Sequence, residues 1–162
     1  MAGNTFISIK DVVGESADPR HAGEIDVLAW NWGMSQTAPT QPGAGGGGAS
    51  GKVTIQNLSF DKHTDKASPI LMKYCATGRH VASAVLTVRK PGSKPLEYVR
   101  MTMTDVIIVS VTIGAAVGEE RLTEHVVLKF AKVTFEYVPQ KADGSGDVPV
   151  KMGWDIAANK EL

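Results

Sequence analysis

Apolar and polar residues alternate along most of this chain, at the period of two that turns one face of a strand to a core and the other away. Residues 5–10 open the pattern with Ile7 and Ile9 on one face. Residues 24–36 predict one long strand, with Ile25, Val27 and Ala29 on one face and Leu28, Trp30, Trp32 and Met34 on the other. Both faces of that strand need cover, from a closed or doubly packed sheet in a monomer or from a second subunit in an oligomer. Residues 52–62 place Val53 and Ile55 on one face before Leu58 and Phe60 take the other, so a bulge or a change of surroundings is expected between them.

Further strands are predicted at 81–90, with Ala82, Ala84, Leu86 and Val88 as the apolar face, and at 96–113. In the latter the odd positions Val99, Met101, Met103, Ile107, Val109, Val111 and Ile113 are apolar, with Asp105 the exception. A turn at 114–118 leads to a strand at 121–138, which pairs back. Its apolar side switches from Leu122, Val126, Leu128 and Phe130 to Val133, Phe135 and Tyr137, which asks for a bulge near Ala131 and Lys132. Residues 148–156, carrying Trp154, predict a final edge strand.

One stretch leaves the period of two. Between Asp65 and Gly78, Ile70, Leu71, Tyr74 and Cys75 fall on one helical stripe. Ser68 is the expected cap, Pro69 suits the first helical position, and Gly78 supplies the left-handed residue that ends a helix over about 69–77. Two turns of helix are unstable alone, so the stripe must be covered by sheet. The loops are a polar one at 14–23, with an Asp18-Pro19 turn, and a long glycine-rich one at 38–51. The pattern is all-β, an antiparallel barrel or sandwich with one short helix packed against it.

The totals narrow the function more than the fold. A chain of 162 residues is read as a single domain over 1–162. Lys plus Arg number 17 and Asp plus Glu number 17, so no global field draws the chain to nucleic acid or an acidic membrane. The first ten residues lack the basic start and apolar run of a cleaved signal peptide, and no apolar run is long enough to span a bilayer. The lone Cys75 rules out an internal disulfide, and its place on the helical stripe predicts a buried structural thiol.

Candidate chemistry is sparse. Residues 46–52 fit G-x-x-x-x-G-K, but Val53 stands where a metal-binding hydroxyl is needed and a strand follows in place of a helix. Asp143, Ser145 and Asp147 open like a calcium loop, yet no glycine follows Asp147 and Trp154 occupies the closing position, so a polar turn is expected. His21, His63, His80 and His125 have no metal-ligand spacing, and no G-x-S-x-G elbow is present. Carboxylate pairs such as Glu119 and Glu120 adjoin a turn. No cofactor, metal site or catalytic residue is expected. Surfaces are the place to look for function.

Seven ordered segments carry a resemblance: Gly14-Glu15-Ser16; Glu24-Ile25-Asp26-Val27-Leu28-Ala29-Trp30-Asn31-Trp32-Gly33-Met34-Ser35-Gln36; the glycine loop ending Gly51-Lys52-Val53; Asp65-Lys66-Ala67-Ser68-Pro69; Leu86-Thr87-Val88-Arg89-Lys90; Gly118-Glu119-Glu120-Arg121-Leu122-Thr123-Glu124; and Gly153-Trp154-Asp155-Ile156. Together they resemble hemolysin-coregulated protein (Hcp), the tube-subunit family of the bacterial type VI secretion system. The turn at 114–118 is less rich in Gly and Ser than is usual there, and His125 stands where Asn is common.

The resemblance implies a β-barrel with the helix against it, six copies closing into a ring, and rings stacking into a hollow tube. It implies a spike protein and a contractile sheath as partners, and small secreted effector proteins carried in the lumen. Export would start from the bacterial cytoplasm without a cleaved signal peptide, with no membrane insertion. Some family members carry a fused effector domain, for which six residues beyond Ile156 leave no room. Asn31, pointing away from the tryptophans, is the candidate lumen or effector contact. Gln41, Pro42, Gly43, Gly45, Gly46, Gly47, Gly48 and Ser50 are candidates for ring or neighbour contact, and Glu119, Glu120 and Arg121 for subunit contact. The alternatives are a monomeric ligand-binding barrel, with Trp30, Trp32 and Tyr74 as an aromatic platform, and a sheet enzyme using His63, His80 or Asp105.

Overall fold

The structure, a computed structural model, describes residues 4–37 and 52–162. In chain order the elements are β1 (Thr5–Ile9), β2 (Ile25–Asp26), β3 (Ala29–Asn31), β4 (Met34–Ser35), β5 (Thr54–Ile55), β6 (Leu58–His63), α1 (Ser68–Thr77), β7 (His80–Lys90), β8 (Leu96–Gly114), β9 (Thr123–Tyr137), β10 (Val150–Asp155) and β11 (Lys160–Glu161). The expected all-β architecture with one short helix is what forms.

β8 and β9 make the central hairpin, from Val99↔Tyr137 to Gly114↔Thr123. β7 pairs the far side of β8, β1 pairs β7, and β2 pairs β1. β9 shares its other edge: β6 takes the first half, from His63↔Thr123 to Leu58↔Leu128, and β10 the second, from Asp155↔Lys132 to Val150↔Tyr137. β3 pairs β6, and β4 pairs β5 in a separate two-stranded sheet. All pairings are antiparallel.

The predicted long strand at 24–36 is broken into β2, β3 and β4. The break has a hydrogen-bonding cause: the Val27 amide donates to the Thr5 carbonyl at 3.0 Å, while the next amide, Leu28, donates to the Asp61 carbonyl at 2.8 Å. Adjacent residues thus bond to opposite neighbours, and the segment bends from β1 to β6. Through it the segment links β1 and β6, the two ends of the path β6–β9–β8–β7–β1, by one backbone hydrogen bond to each, an arrangement consistent with a barrel. Ile25 and Val27 face the core, Trp30 and Trp32 pack against it, and Ala29, Leu28 and Met34 are exposed.

The expected break between Ile55 and Leu58 occurs where the chain leaves β4 for β9. The change of face expected near Ala131 and Lys132 occurs, with Phe130 and then Val133 buried, but not as the predicted bulge: the β8–β9 register runs unshifted from Val106↔Phe130 to Thr104↔Lys132. A corresponding change in β8 corrects the single odd-numbered face predicted there. Met101 and Met103 are buried, then Val106 and Ile108, while Val109 is exposed. Asp105 makes the first switch with φ 53, a left-handed backbone that Asp tolerates better than most residues. A register shift between Ile108 and Ser110 makes the second. β7 switches alongside, burying Val81 and then Ala84, so Ala82 is exposed rather than inward. β10 is the edge predicted for it only in its first half, because the two-residue β11 pairs its outer side at Trp154 and Asp155.

The helix follows Ala67, Pro69 lies in its first turn, and Gly78 ends it at φ 65. Ser68 is not its cap. The serine side chain is buried and bonded to Lys62 and Glu124 instead. Leu71 and Tyr74 are buried, whereas Ile70 and the Cys75 thiol, expected to be buried, are half-buried at the rim of the core. Each fully buried side chain of this kind contributes about 1.5–3 kcal/mol, enough to dock so short a helix.

Candidate functional site

Asn31 ends β3 opposite Ser59, exposed, between two tryptophans packed against the core. Glu119, Glu120 and Arg121 lie beyond the His63↔Thr123 rung, in the exposed hairpin turn. The Ala116 amide donates to Glu119 Oε2 at 3.2 Å, closing that turn. The structure therefore keeps these two sets at different places along β6. The glycine-loop set at 41–50 lies outside the described residues.

The enzyme-like residues do not come together as a site: the His63 Nδ1 atom is buried with no hydrogen-bond partner among the described residues, and His80 pairs with Asp105. His80 Nδ1 is 2.7 Å from Asp105 Oδ1 and His125 Nδ1 is 2.6 Å from Asp61 Oδ1, all four side chains well exposed. Among the described residues no three or more His, Cys, Asp or Glu side chains converge as a metal site. The expected polar turn at 143–147 forms: Asp143 Oδ1 accepts from the Ser145 hydroxyl and amide, which lowers its pKa, the hydroxyl bond contributing most. The aromatic platform does not form as a unit. Trp32 stacks on Phe135 at 6.1 Å, and Tyr74 is buried under the Arg79 guanidinium at 4.5 Å.

Two polar clusters organise the described surfaces. In the first, the fully buried Lys62 ammonium bonds to Glu124 Oε2 at 2.7 Å, Asp65 Oδ1 at 2.9 Å, the His63 carbonyl at 2.8 Å and Ser68 Oγ at 3.0 Å. The Ser68 hydroxyl donates to the same Glu124 oxygen at 2.8 Å. This network ties the start of α1 to the β6–β9 ladder at the root of the hairpin turn. Its signal is parity: Lys62 follows Leu58 and Phe60, and Glu124 precedes Val126 and Leu128, on core-facing positions of their strands. A Lys and a Glu at core parity on neighbouring strands point to a buried pair.

In the second, the loop at 14–23 is clamped over Phe6. His21 stacks on the Phe6 ring at 4.3 Å, its Nδ1 2.9 Å from Glu24 Oε2 and its Nε2 2.7 Å from Glu97 Oε1. Arg89 Nη2 donates to Asp18 Oδ2 at 2.6 Å, with the guanidinium 5.1 Å from the Phe6 centroid. That hydrogen bond is the main cause that lowers the Asp18 pKa from 3.8 to about 2, and it raises that of Arg89 in turn. A groove of about 630 Å³ runs beside the clamp toward Arg121.

Among the described residues, apolar side chains are exposed at both ends of the central hairpin. Across the sheet the rows Val99–Tyr137–Val150 and Met101–Phe135–Met152 share one face. Val99 and Met101 are core, but Tyr137, Val150 and Met152 are 42, 65 and 36 % exposed. The core face thus runs past the barrel onto a shelf. At the other end Ile113 and Leu122 are nearly half-exposed and Val117 is fully so.

A family profile described as "Type VI secretion system effector, Hcp" matches residues 6–137. The chain is 52% identical over 161 residues to "Protein hcp1" of Pseudomonas aeruginosa, 98% of each being covered. Among solved structures, Hcp1 from Salmonella typhimurium superposes with a TM-score of 0.80 at 40% identity, over 100% of both chains. A type VI secretion system effector from Yersinia pestis superposes with a TM-score of 0.76 at 34% identity, over 93% of this chain and 98% of that one.

Proposed function

This chain belongs to the Hcp family, the tube proteins of the type VI secretion system, and we propose that it works by closing into rings of six that stack as a hollow tube. The observation that carries the assembly is the core face left bare at Tyr137, Val150 and Met152, beside a second apolar surface at Val117. Apolar side chains on this scale, continuous with a core row, are what a subunit contact covers. A head-to-tail contact closes into a ring when its rotation closes.

The rest of the reading follows from the family. The tube is driven from the cytoplasm by a contractile sheath, behind a spike protein, without a cleaved signal peptide, and small effector proteins ride in its lumen. Asn31 is the proposed lumen contact, and Glu119, Glu120 and Arg121 the proposed subunit contacts. The family is structural rather than enzymatic, and we assign this chain no catalytic role. The exposed His80–Asp105 and His125–Asp61 pairs are read as surface ties.

Light scattering on the purified protein across dilution tests the assembly. A mass near six chains of 17.2 kDa that persists on dilution is expected. A single chain at every concentration overturns the self-assembling ring.

A further inference from the structure

We infer that the buried Lys62–Glu124 pair sets the register of β6 on β9, and with it what the strand bearing Asn31 presents. The inference goes beyond assembly, because register is a property of one chain.

Alternation cannot fix this register. Moving β6 by one residue along β9 turns its core face outward, whereas moving it by two keeps every inward residue inward. Nor does a turn fix it. β7 and β8, and β8 and β9, are consecutive strands joined as hairpins, while β6 meets β9 only after α1, β7 and β8 and meets β3 only across β4 and β5. β9 also leaves space for the shift. β6 pairs as far as Leu58↔Leu128, and β10 begins at Asp155↔Lys132, with the Ile156 amide on the Ala131 carbonyl. Lys129 and Phe130 lie between, with no strand partner on that edge among the described residues.

A shift of two into that space would set Leu58 against Phe130 and Phe60 against Leu128, apolar against apolar as in the native pairs. The next rung is what opposes it. Lys62 would face Val126, and Glu124 would lose its ammonium. In the native register that ammonium lies 2.7 Å from Glu124 Oε2 with both side chains fully buried, and the Ser68 hydroxyl donates to the same oxygen at 2.8 Å. A buried charge without its partner is strongly destabilising, and fixing register is the best-attested use of a buried polar pair.

The consequence reaches the surface. Asn31 stands opposite Ser59, and Ser59 opposite Val127, so a shift of two would carry this row about 7 Å along β9. Lys62 and Glu124 are thus positioning residues for the proposed lumen contact, although neither touches it.

Disulfide trapping in a Cys75→Ala background tests this, with the links located by mass spectrometry of unreduced peptides. Ser59→Cys with Val127→Cys reports the native register and Ser59→Cys with Lys129→Cys the shifted one, because directly opposed residues lie within disulfide range and diagonal ones do not. With the ion pair intact, only the link to 127 is expected. Glu124→Leu with Val126→Glu moves the carboxylate two residues along β9, and the link is expected to move with it, from 127 to 129. Lys62→Met with Glu124→Leu removes the charges, and both links are expected. A link to 129 with the ion pair intact overturns the inference, as does a link that stays at 127 in the folded Glu124→Leu, Val126→Glu chain. Should circular dichroism show that chain unfolded, the apolar variant decides, and a link to 127 alone overturns the inference there. If neither variant folds, the pair serves folding rather than the choice of register, and the inference falls. The ring is judged separately, by the mass of the parent protein.

Discussion

Glu124 Oε2 lies 2.7 Å from the Lys62 ammonium across the β6–β9 ladder, and neither side chain reaches solvent. Two charges removed from water are costly, and the pair is sustained because Asp65, Ser68 and the His63 carbonyl complete the shell around the ammonium. Breaking it from one side strands a buried charge. Lys62→Met is expected to lower the unfolding free energy by about 3–5 kcal/mol, whereas Lys62→Met with Glu124→Leu costs markedly less. Denaturant midpoints of the two variants decide it. A double variant no more stable than the single one would show that the charge left behind is not the source of the loss.

The Asp18–Arg89 pair predicts a pH dependence with a definite sign. The Asp18 carboxyl ionises at about 2 in the folded chain against its usual 3.8, while Arg89 stays charged throughout. As the pH falls below the usual value, the unfolded chain takes up a proton that the folded one still refuses, so stability drops. The contribution is complete above about pH 5 and gone below about pH 2. Asp18→Asn is therefore expected to be less stable than the parent at neutral pH, with the gap closing as pH falls toward 2. Thermal melts over that range at fixed protein concentration measure it, and a gap that stays constant would remove the ion pair as its cause.

Gly14 is where the clamped loop touches the strand after it. Its amide donates to the Gly23 carbonyl at 2.7 Å, and the Ser16 amide donates to the Glu24 carbonyl at 2.9 Å. A Cβ at Gly14 would stand 2.4 Å from the Glu24 carbonyl oxygen and 2.9 Å from Ile25 Cγ1. Backbone cannot yield as a side chain does, so Gly14→Ala is expected to cost about 2–3 kcal/mol and several degrees of melting temperature. Gly78→Ala makes the contrast, since nothing lies within 4 Å of its Cβ position and only the left-handed φ opposes it. An unchanged melt for Gly14→Ala would mean that the loop lifts away without loss.

Parity explains what was legible in the sequence. The change of face between Ile55 and Leu58, and that at Ala131 and Lys132, interrupt the apolar count and so could be read directly. In β8 Asp105 marks the first switch, but the second is masked, because Ile107, Ile108 and Val109 are all apolar and an odd-numbered face runs through them unbroken. Faces also say nothing of partners: residues 24–36 alternate well enough for one strand, yet Val27 and Leu28 bond to different neighbours. At the site, Asn31 and the 119–121 turn are exposed as their surroundings suggest. Ser68 has the type and position of a cap, but the buried Lys62 and Glu124 compete for its hydroxyl and win.

Asn31 offers the test that joins fold to tube. Its strand is pinned on one side by β6 and its flanking tryptophans pack against the core, so its own side chain is what the exposed surface presents. If that surface is the wall of a lumen, one more methylene meets only solvent, and exposed substitutions away from packing change stability by about 0.5 kcal/mol or less. Asn31→Gln is expected to keep both the parent's mass by light scattering and its melting temperature. Loss of the ring from this change alone would place Asn31 in a seam between subunits, where an added methylene has no room, and would move the lumen to another face of the barrel.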